Sequence, residues 1–244
     1  MSREPRPNEQ YTPNRHRETM KFAALMLASS SLICADGRSP IDLRLEFGSL
    51  PKSIESAGSG TFNGTYRSWD DAVTADKASR FGLYGVAALK PAAFKDTPCV
   101  VLIGGGVSAN TWTYSDKTPG ERFDEEISTV FVEGHAGLGV DFNKHIRAEV
   151  LGTLGFGSIN DDVQYKDPPL TGEEIHTKGS ASEVMIRTGL VFTFSKLQTA
   201  IHVGYFYAHG YLTGSGSLAG ARYSASYDYT IDGAIASFSI GLRL

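Results

Sequence analysis

The stretch IDLRLEF, residues 41–47, alternates apolar and charged side chains without interruption. Its odd positions hold only Ile, Leu and Phe, and its even positions hold Asp42, Arg44 and Glu46. A period of two is typical of a β-strand whose two faces meet different surroundings. In a soluble sheet the apolar face would be the core, whereas in a transmembrane barrel it would face lipid and the charged face would line the lumen. One strand does not distinguish these two arrangements.

The same alternation recurs along the chain and predicts eight strands. In the eight segments the apolar face carries no Glu, Lys or Arg and one Asp, at the first position of the last segment, while the opposite faces together carry charges of both signs. The third segment has the weakest pattern, because Val100 and Leu102 also fall on the inward parity. The predicted strands are 41–48, 80–89, 99–114, 128–142, 146–158, 182–194, 197–213 and 232–244.

The connections between these segments alternate between short and long. The second, fourth and sixth are short, including the two-residue links Asn143–Lys144 and Ser195–Lys196. The first, third, fifth and seventh are long. Short turns on one side and long loops on the other are typical of bacterial outer-membrane barrels, and a soluble sandwich has no reason to sort its loops in this way.

With this pattern, loop order and amphipathic last strand, the chain from Ile41 to Leu244 resembles the small outer-membrane barrels of the OmpA transmembrane domain and OmpX type. The resemblance implies an all-β fold, an eight-stranded antiparallel up-and-down barrel in a bacterial outer membrane. It also implies contact with outer-membrane lipid and lipopolysaccharide, and insertion by the barrel-assembly machinery. Such chains usually end in an aromatic residue, whereas this one ends in Leu244.

Two further stretches leave ten strands as an alternative. GTFNGTYRSW, residues 60–69, alternates weakly. ARYSASYDYTI, residues 221–231, places three tyrosines on one face and is interpreted as an extension of the last two strands beyond the membrane. If both crossed the membrane, the barrel would have ten strands.

The N-terminal region predicts export. The apolar run from Phe22 to Ala35 follows Lys21 and is shorter than the roughly 20 residues of a spanning helix. Residues 20–35 therefore fit a signal peptide that begins at Met20 and is cleaved after Ala35, with lipidation at Cys34 as the weaker alternative. Residues 1–19 fit a disordered or wrongly assigned upstream extension. Residues 36–244 form one predicted barrel domain, in which Cys99 has no partner for a disulfide.

Net charge and composition exclude some classes of function. The net charge of −4 provides no basic face for nucleic acid, and no motif indicates a cofactor. Acidic runs occur at residues 124–126, 161–162 and 173–174, but none has the spacing of a known calcium loop. They are expected to be solvated loop residues, and binding of divalent ions shared with lipopolysaccharide phosphates is the alternative.

The charged residues on the inward parity predict a network that fills the lumen. The interior of an eight-stranded barrel is only wide enough for side chains, and buried charges require partners. A narrow, gated solute channel is the alternative, and acid–base chemistry at His135 beside Glu133 is a third interpretation. The predicted network comprises Arg44, Glu46, Glu133, His135, Arg147, Glu149, Glu183, Arg187, His202 and Arg243.

Aromatic and polar residues near the long-loop side suggest two further roles. Tyr205, Tyr207 and Tyr211 are expected to form an aromatic girdle at the membrane interface. His209, with Ser215 and Ser217 nearby in sequence, would be the candidate site of a lipid-modifying or protease-type barrel enzyme. No matching motif supports that enzyme, so the sequence favours a structural or surface-interaction role through the long extracellular loops.

Overall fold

A computed structural model describes residues 41–118 and 122–244. The predicted upstream extension and signal peptide lie outside the described residues. Within them, no helix is long and apolar enough to cross a membrane. The described residues form one 3₁₀ turn, Ala92–Phe94, and ten strands. These are β1 (Ile41–Ser49), β2 (Ser53–Phe62), β3 (Thr65–Thr74), β4 (Lys77–Leu89), β5 (Cys99–Asp116), β6 (Phe123–Asn143), β7 (Ile146–Tyr165), β8 (Glu174–Phe194), β9 (Leu197–Leu218) and β10 (Ala221–Arg243).

Eight of the strands close into an antiparallel ring. The order is β1-β4-β5-β6-β7-β8-β9-β10, and β10 pairs with β1 to complete it. In the closing register Leu45 lies opposite Ile240 on β10 and Leu83 on β4. Closure satisfies the backbone donors and acceptors of every barrel strand internally, as a membrane requires. The prediction of an eight-stranded antiparallel barrel is confirmed.

Strands β2 and β3 form a hairpin on the long-loop side. β10 pairs with β1 over residues 236–243 and continues along β2 over residues 223–231. The hairpin turns at Asn63 and Gly64, whose φ angles are +47° and +79°, as a two-residue β-hairpin turn requires. Residues 60–69 are therefore the tip of this hairpin, and residues 221–231 are the outer part of β10. The sheet has ten strands, of which eight form the closed ring.

The outer surface of the ring carries a continuous apolar band. Phe47, Phe81, Val130, Phe156 and Val184 are exposed side chains at its upper boundary, with relative exposures of 47–65%. Apolar exposed side chains continue from there to the short turns, as from Val184 down to Phe194. Above the boundary the outward positions become polar. A lipid-facing apolar band with a charged interior is the arrangement of a transmembrane barrel.

On one side of the ring the upper-boundary residues are joined through the strand register. Phe47 pairs with Phe81, Phe81 with Ala109, and Ala109 with Val130. The strands above this level are outside the membrane. They extend beyond the predicted segments because the long connections continue the sheet: β7 runs on to Tyr165, and β8 begins at Glu174 rather than at residue 182.

The interior consists of three layers. An apolar layer near the short turns contains Val86, Leu102 and Leu151, each with 0% exposure. A charged layer occupies the middle, and its charges continue beside the first apolar layer to the short-turn end. A larger apolar layer lies towards the long-loop end and includes Trp112, Phe131 and Phe206. Val100 and Leu102, which weakened the sequence pattern of the third strand, are buried in the first layer.

Candidate functional site

Arg80 forms ion pairs with three carboxylates in the charged layer. Its Nη2 donates to Glu133 Oε1 at 2.5 Å, and its Nη1 donates to Glu183 Oε2 at 3.2 Å. Its Nε donates to Glu46 Oε2 at 3.4 Å. One buried guanidinium from β4 thereby joins carboxylates from β1, β6 and β8, since the planar fork of arginine can serve several acceptors at once.

A second arginine also binds Glu46. Arg187 on β8 donates to Glu46 Oε1, and Ser237 Oγ on β10 donates to the same oxygen at 2.6 Å. The Arg187 guanidinium also lies 5.0 Å from the centroid of the Tyr84 ring, in a cation–π contact.

A second group of charges lies one step closer to the short turns. Arg44 binds Glu149 through two hydrogen bonds, with Nη1–Oε1 at 2.5 Å and Nη2–Oε2 at 3.2 Å. His202 Nε2 is 2.8 Å from Glu149 Oε1. The paired geometry of an arginine and a carboxylate fixes the orientation of both groups.

Asp42 contacts three arginines at the short-turn end of the barrel. Its carboxylate contacts Arg44 at 3.3 Å, Arg147 at 3.6 Å and Arg243 at 3.1 Å. Arg147 also donates to Asp141 at 2.7 Å. Arg243 is 26% exposed in its side chain, so the network reaches the surface at this end.

His135 is held by neighbours rather than placed over an open site. Its Nδ1 is 2.9 Å from Thr153 Oγ1, and its Nε2 is 3.4 Å from Glu133 Oε2. The imidazole also packs on Tyr84, with ring centroids 4.9 Å apart. With 3% of the residue exposed, His135 has no contact with solvent that would support catalysis.

The structure places all ten predicted network residues on the inward face, and it adds Arg80 and Asp42, which the sequence analysis left out of the network. Arg80 is the first residue of the predicted second strand and has the same parity as Tyr84 and Val86 on the inward face of β4. Asp42 shares the face of Arg44 and Glu46. Parity alone would have assigned both residues to the lumen.

The aromatic residues divide between the outer surface and the lumen. Tyr205, Tyr207 and Tyr211 point outward with 41–48% exposure, near the upper edge of the apolar band. Trp112 is 1% exposed within the lumen, where its Nε1 donates to the carbonyl of Pro51 at 2.9 Å. Trp112 therefore closes the outer apolar layer.

A polar cluster lies above the membrane, at the outer end of the lumen. Asp161 Oδ2 accepts hydrogen bonds from Tyr227 at 2.6 Å and Tyr229 at 3.3 Å. Tyr229 also donates to Glu125 Oε1 at 2.6 Å. Burial and the neighbouring Glu125 raise the pKa of Asp161 to about 7, and burial raises the pKa of Glu125.

An acidic cleft of about 560 Å³ opens beside this cluster. Its lining includes five carboxylates and His176, and no Lys or Arg among the described residues. His176 Nδ1 is 2.6 Å from Asp162 Oδ1, and this hydrogen bond raises the pKa of His176. The five carboxylates belong to Asp124, Glu125, Glu126, Asp162 and Glu174.

The residues considered for an enzyme do not come together. His209 points outward, 3.5 Å from Asp228. In the ladder with β10, His209 pairs with Thr230, whereas Ser215 pairs with Ser224 and Ser217 with Arg222. At about 3.4 Å per residue, the nearer serine lies about 20 Å along the strand.

Comparison with known proteins finds solved β-barrel structures that resemble this chain. No family model matches the chain, and no curated protein matches it. The outer membrane protease OmpT from Escherichia coli is 8% identical, with 83% of this chain and 96% of that chain covered and a TM-score of 0.45. OprG from Pseudomonas aeruginosa is 12% identical, with 84% of this chain and 96% of that chain covered and a TM-score of 0.38. Ail from Yersinia pestis is 12% identical, with 83% of this chain and 98% of that chain covered and a TM-score of 0.30.

The closed strand register, the apolar outer band and the charged lumen establish the class of this protein. Polar and charged side chains point inward along every strand that crosses the band, so the soluble alternative with an apolar cavity is excluded. The chain has the fold of the small outer-membrane β-barrels.

Proposed function

We propose that this protein is a non-conducting barrel that anchors an extracellular β-structure, through which the cell surface interacts with its surroundings. The observation that carries this proposal is the sealed lumen. On the long-loop side the charged layer is covered by an apolar layer in which Phe131 and Phe206 have 0% exposure. An ion crossing the barrel would have to leave water at this layer, which is strongly unfavourable.

The extracellular part supports the second half of the proposal. Strands β6 to β10 continue beyond the apolar band, and the β2–β3 hairpin extends the sheet next to β10. A rigid β-extension with an acidic cleft is more structure than membrane anchoring requires. The predicted signal peptide at residues 20–35 supplies the route of export in this proposal.

Planar-bilayer recording tests the closed lumen. The purified, refolded protein should give no stable conductance steps under conditions in which an open porin conducts. Reproducible single-channel steps from the unaltered protein would overturn the proposal and favour the narrow solute channel.

Surface assays test the interaction role. Cells that express the full barrel should differ in adherence from cells that express a barrel with residues 56–71 of the hairpin removed, at equal amounts in the outer membrane. Equal adherence, together with equal sensitivity of the envelope to detergent, would contradict a role for this extension.

A further inference from the structure

The last strand of the extracellular hairpin, β3, has a free edge. In the order of the sheet β3 follows β2 and ends the sheet, so among the described residues no strand pairs with its other edge. Eight of its ten residues are exposed, and the other two, Trp69 and Val73, are half-buried. A strand edge of this kind presents unpaired backbone N–H and C=O groups to the solvent and can template the pairing of another strand.

This edge lies well above the membrane. Thr65, the first residue of β3, is opposite Phe62 on β2, and Phe62 pairs with Tyr223 on β10. Phe238, further along β10, pairs with Phe47 at the upper boundary of the apolar band. About 15 residues of β10 separate the two levels, or about 50 Å along the strand. A partner can therefore reach β3 without entering the lipid.

The backbone groups at the free edge belong to the even-numbered residues of β3. Just below β3, the N–H of Ala75 donates to the carbonyl of Lys52, on the side of β2. The next N–H, that of Asp76, donates to the carbonyl of Thr113 on β5, on the opposite side. Successive residues of a strand direct their backbone groups to opposite edges. The odd-numbered residues of β3 are therefore bonded to β2, and the even-numbered residues face the free edge.

We infer that this free edge pairs with β3 of a second copy of the chain, antiparallel and centred on Trp69. The inference rests on the surface-interaction role proposed above and names a partner for it. In this register Arg67 lies opposite Asp71 of the second copy, and Asp71 lies opposite Arg67 of the second copy. Opposite charges directly across an antiparallel pair stabilise it, so the strand is complementary to itself.

The backbone fits the same register. Tyr66 lies opposite Ala72 of the second copy, and Ser68 lies opposite Asp70. All four are even-numbered residues, so the free N–H and C=O groups of the two strands meet. The two Trp69 residues face each other at a pair without backbone hydrogen bonds, where side chains approach most closely.

Neighbouring registers are less favourable. Centring the pair on Asp70 places the two Asp70 carboxylates opposite each other, which is destabilising. Centring it on Ser68 places Arg67 opposite Trp69 and loses both ion pairs. Charged residues on an edge strand usually prevent pairing. Here the two signs lie two residues on either side of Trp69, so they oppose an unlike strand and complement a second copy.

The pairing joins barrels in two facing membranes. The two-fold axis that relates antiparallel strands is perpendicular to them, so it inverts one barrel relative to the other. Two copies inserted in one membrane have the same orientation and cannot pair in this way. The predicted consequence is that cells carrying this protein adhere to one another.

A cell-mixing experiment tests the inference. Two populations that express the full chain, each with its own fluorescent label, are mixed, and two-colour aggregates are counted by flow cytometry. The unaltered protein should give aggregates. Arg67→Asp and Asp71→Arg each place like charges opposite each other, and each should reduce the aggregates to the level of cells without the protein. Cells with Arg67→Asp mixed with cells with Asp71→Arg regain both opposite-charge pairs, and the aggregates should return.

Two further variants separate strand pairing from general charge effects. Asp70→Arg makes the same change of charge as Asp71→Arg but lies opposite Ser68, so it should leave the aggregates unchanged. Ser68→Pro removes an N–H at the free edge that β2 does not use, so it should abolish the aggregates. Electrophoresis without boiling, at equal amounts in the outer membrane, verifies that each variant is folded.

Several results would overturn the inference: no aggregates with the unaltered protein, equal aggregation by Ser68→Pro, equal loss in Asp70→Arg, or no recovery in the mixture of the two single variants. Adherence to other surfaces that requires residues 56–71, without aggregation of the cells, would show that an unlike partner uses the edge. That outcome would overturn this inference and leave the proposed function intact. None of these results depends on whether the lumen conducts.

Discussion

At the residue scale, Arg80 determines whether three buried carboxylates are compatible with the fold. Glu46, Glu133 and Glu183 reach its guanidinium from three different strands, and the side chain of Arg80 has 0% exposure. Removing one partner of a buried ion pair leaves the remaining charges uncompensated, and this costs much more than the pair itself contributes to stability.

We therefore expect Arg80→Met to destabilise the barrel by about 3–5 kcal/mol. Urea unfolding in detergent, followed by tryptophan fluorescence, measures the loss. Arg122→Met is the control, because Arg122 pairs with Asp167 while its own side chain is 57% exposed. If Arg80→Met lowered the free energy of unfolding no more than the control does, the ion pairs of Arg80 would not stabilise the fold.

A glycine on the inward face makes room for the same network. A Cβ atom at Gly155 would lie 2.6 Å from Glu183 Cγ, whereas one at Gly152 would meet nothing closer than 3.5 Å, at the carbonyl oxygen of Ala136. Glu183 is held by Arg80 and Asn110, so it has little freedom to move. Contact below 3.0 Å requires one of these groups to shift.

Gly155→Ala should accordingly destabilise the protein by about 1–3 kcal/mol, the usual cost of overpacking a buried site. Gly152→Ala, on the same strand, is the matched variant and should change the stability much less. Equal unfolding midpoints for the two variants would contradict the tight packing around Glu183.

At the scale of elements, the extracellular strands form a part of the sheet with its own pH dependence. Asp161 has an ordinary pKa of 3.8 and a pKa of about 7 in the folded protein. The folded state therefore binds more protons than the unfolded state between these values, and stability falls as the pH rises through that interval. Above about pH 7 this contribution no longer changes.

Lowering the pH from about 8 to about 5 should therefore slow hydrogen exchange in the outer parts of β7 and β10, after correction for the intrinsic exchange rate. Asp161→Asn should remove most of this dependence, because the amide does not titrate. Exchange that is insensitive to pH in the unaltered protein, measured without divalent cations, would count against the buried carboxyl pair.

The β2–β3 hairpin is expected to be dispensable for closure of the barrel. β1 pairs directly with β4 and β10, so the ring does not use the hairpin. Joining Glu55 to Ala72, which face each other in the ladder, through an Asn-Gly turn removes residues 56–71 and keeps Ile54 and Val73. The shortened protein should still migrate as a folded barrel before boiling. Failure to fold would show that the tip contributes to the fold.

The sequence predicts the membrane-spanning part better than the extracellular part, for a physical reason. Within the band each strand separates lipid from a packed lumen, so alternation is strong, as in β1 and β10. Above the band the outward positions meet water, and the contrast between the faces weakens. The Asn63–Gly64 turn was a local signal for the hairpin that the weak alternation around it obscured.

Contacts between distant residues could not be read from the pattern. Parity assigns Glu125 and Asp161 to the lumen side of their strands, but only the register brings the two carboxyl groups together. The same holds for Arg80, whose three partners lie on three different strands. Alternation identifies which residues share a face, whereas the three-dimensional arrangement determines which of them meet.

At the scale of the whole molecule, the central claim is that the apolar face lies outside and the charged face lies inside. Exposed side chains such as Phe156 and Ile186, at 65% and 59%, would be unfavourable in water and are favourable in lipid. The buried arginines and carboxylates can pair with one another only if the ring is closed around them. These two requirements are met together in a membrane.

The most direct test is fractionation of the expressed protein, followed by electrophoresis with and without boiling. The arrangement described here predicts recovery with outer membranes and a shift in mobility on boiling, because a closed barrel stays folded in detergent until it is heated. A soluble periplasmic product with the same mobility before and after boiling would contradict it.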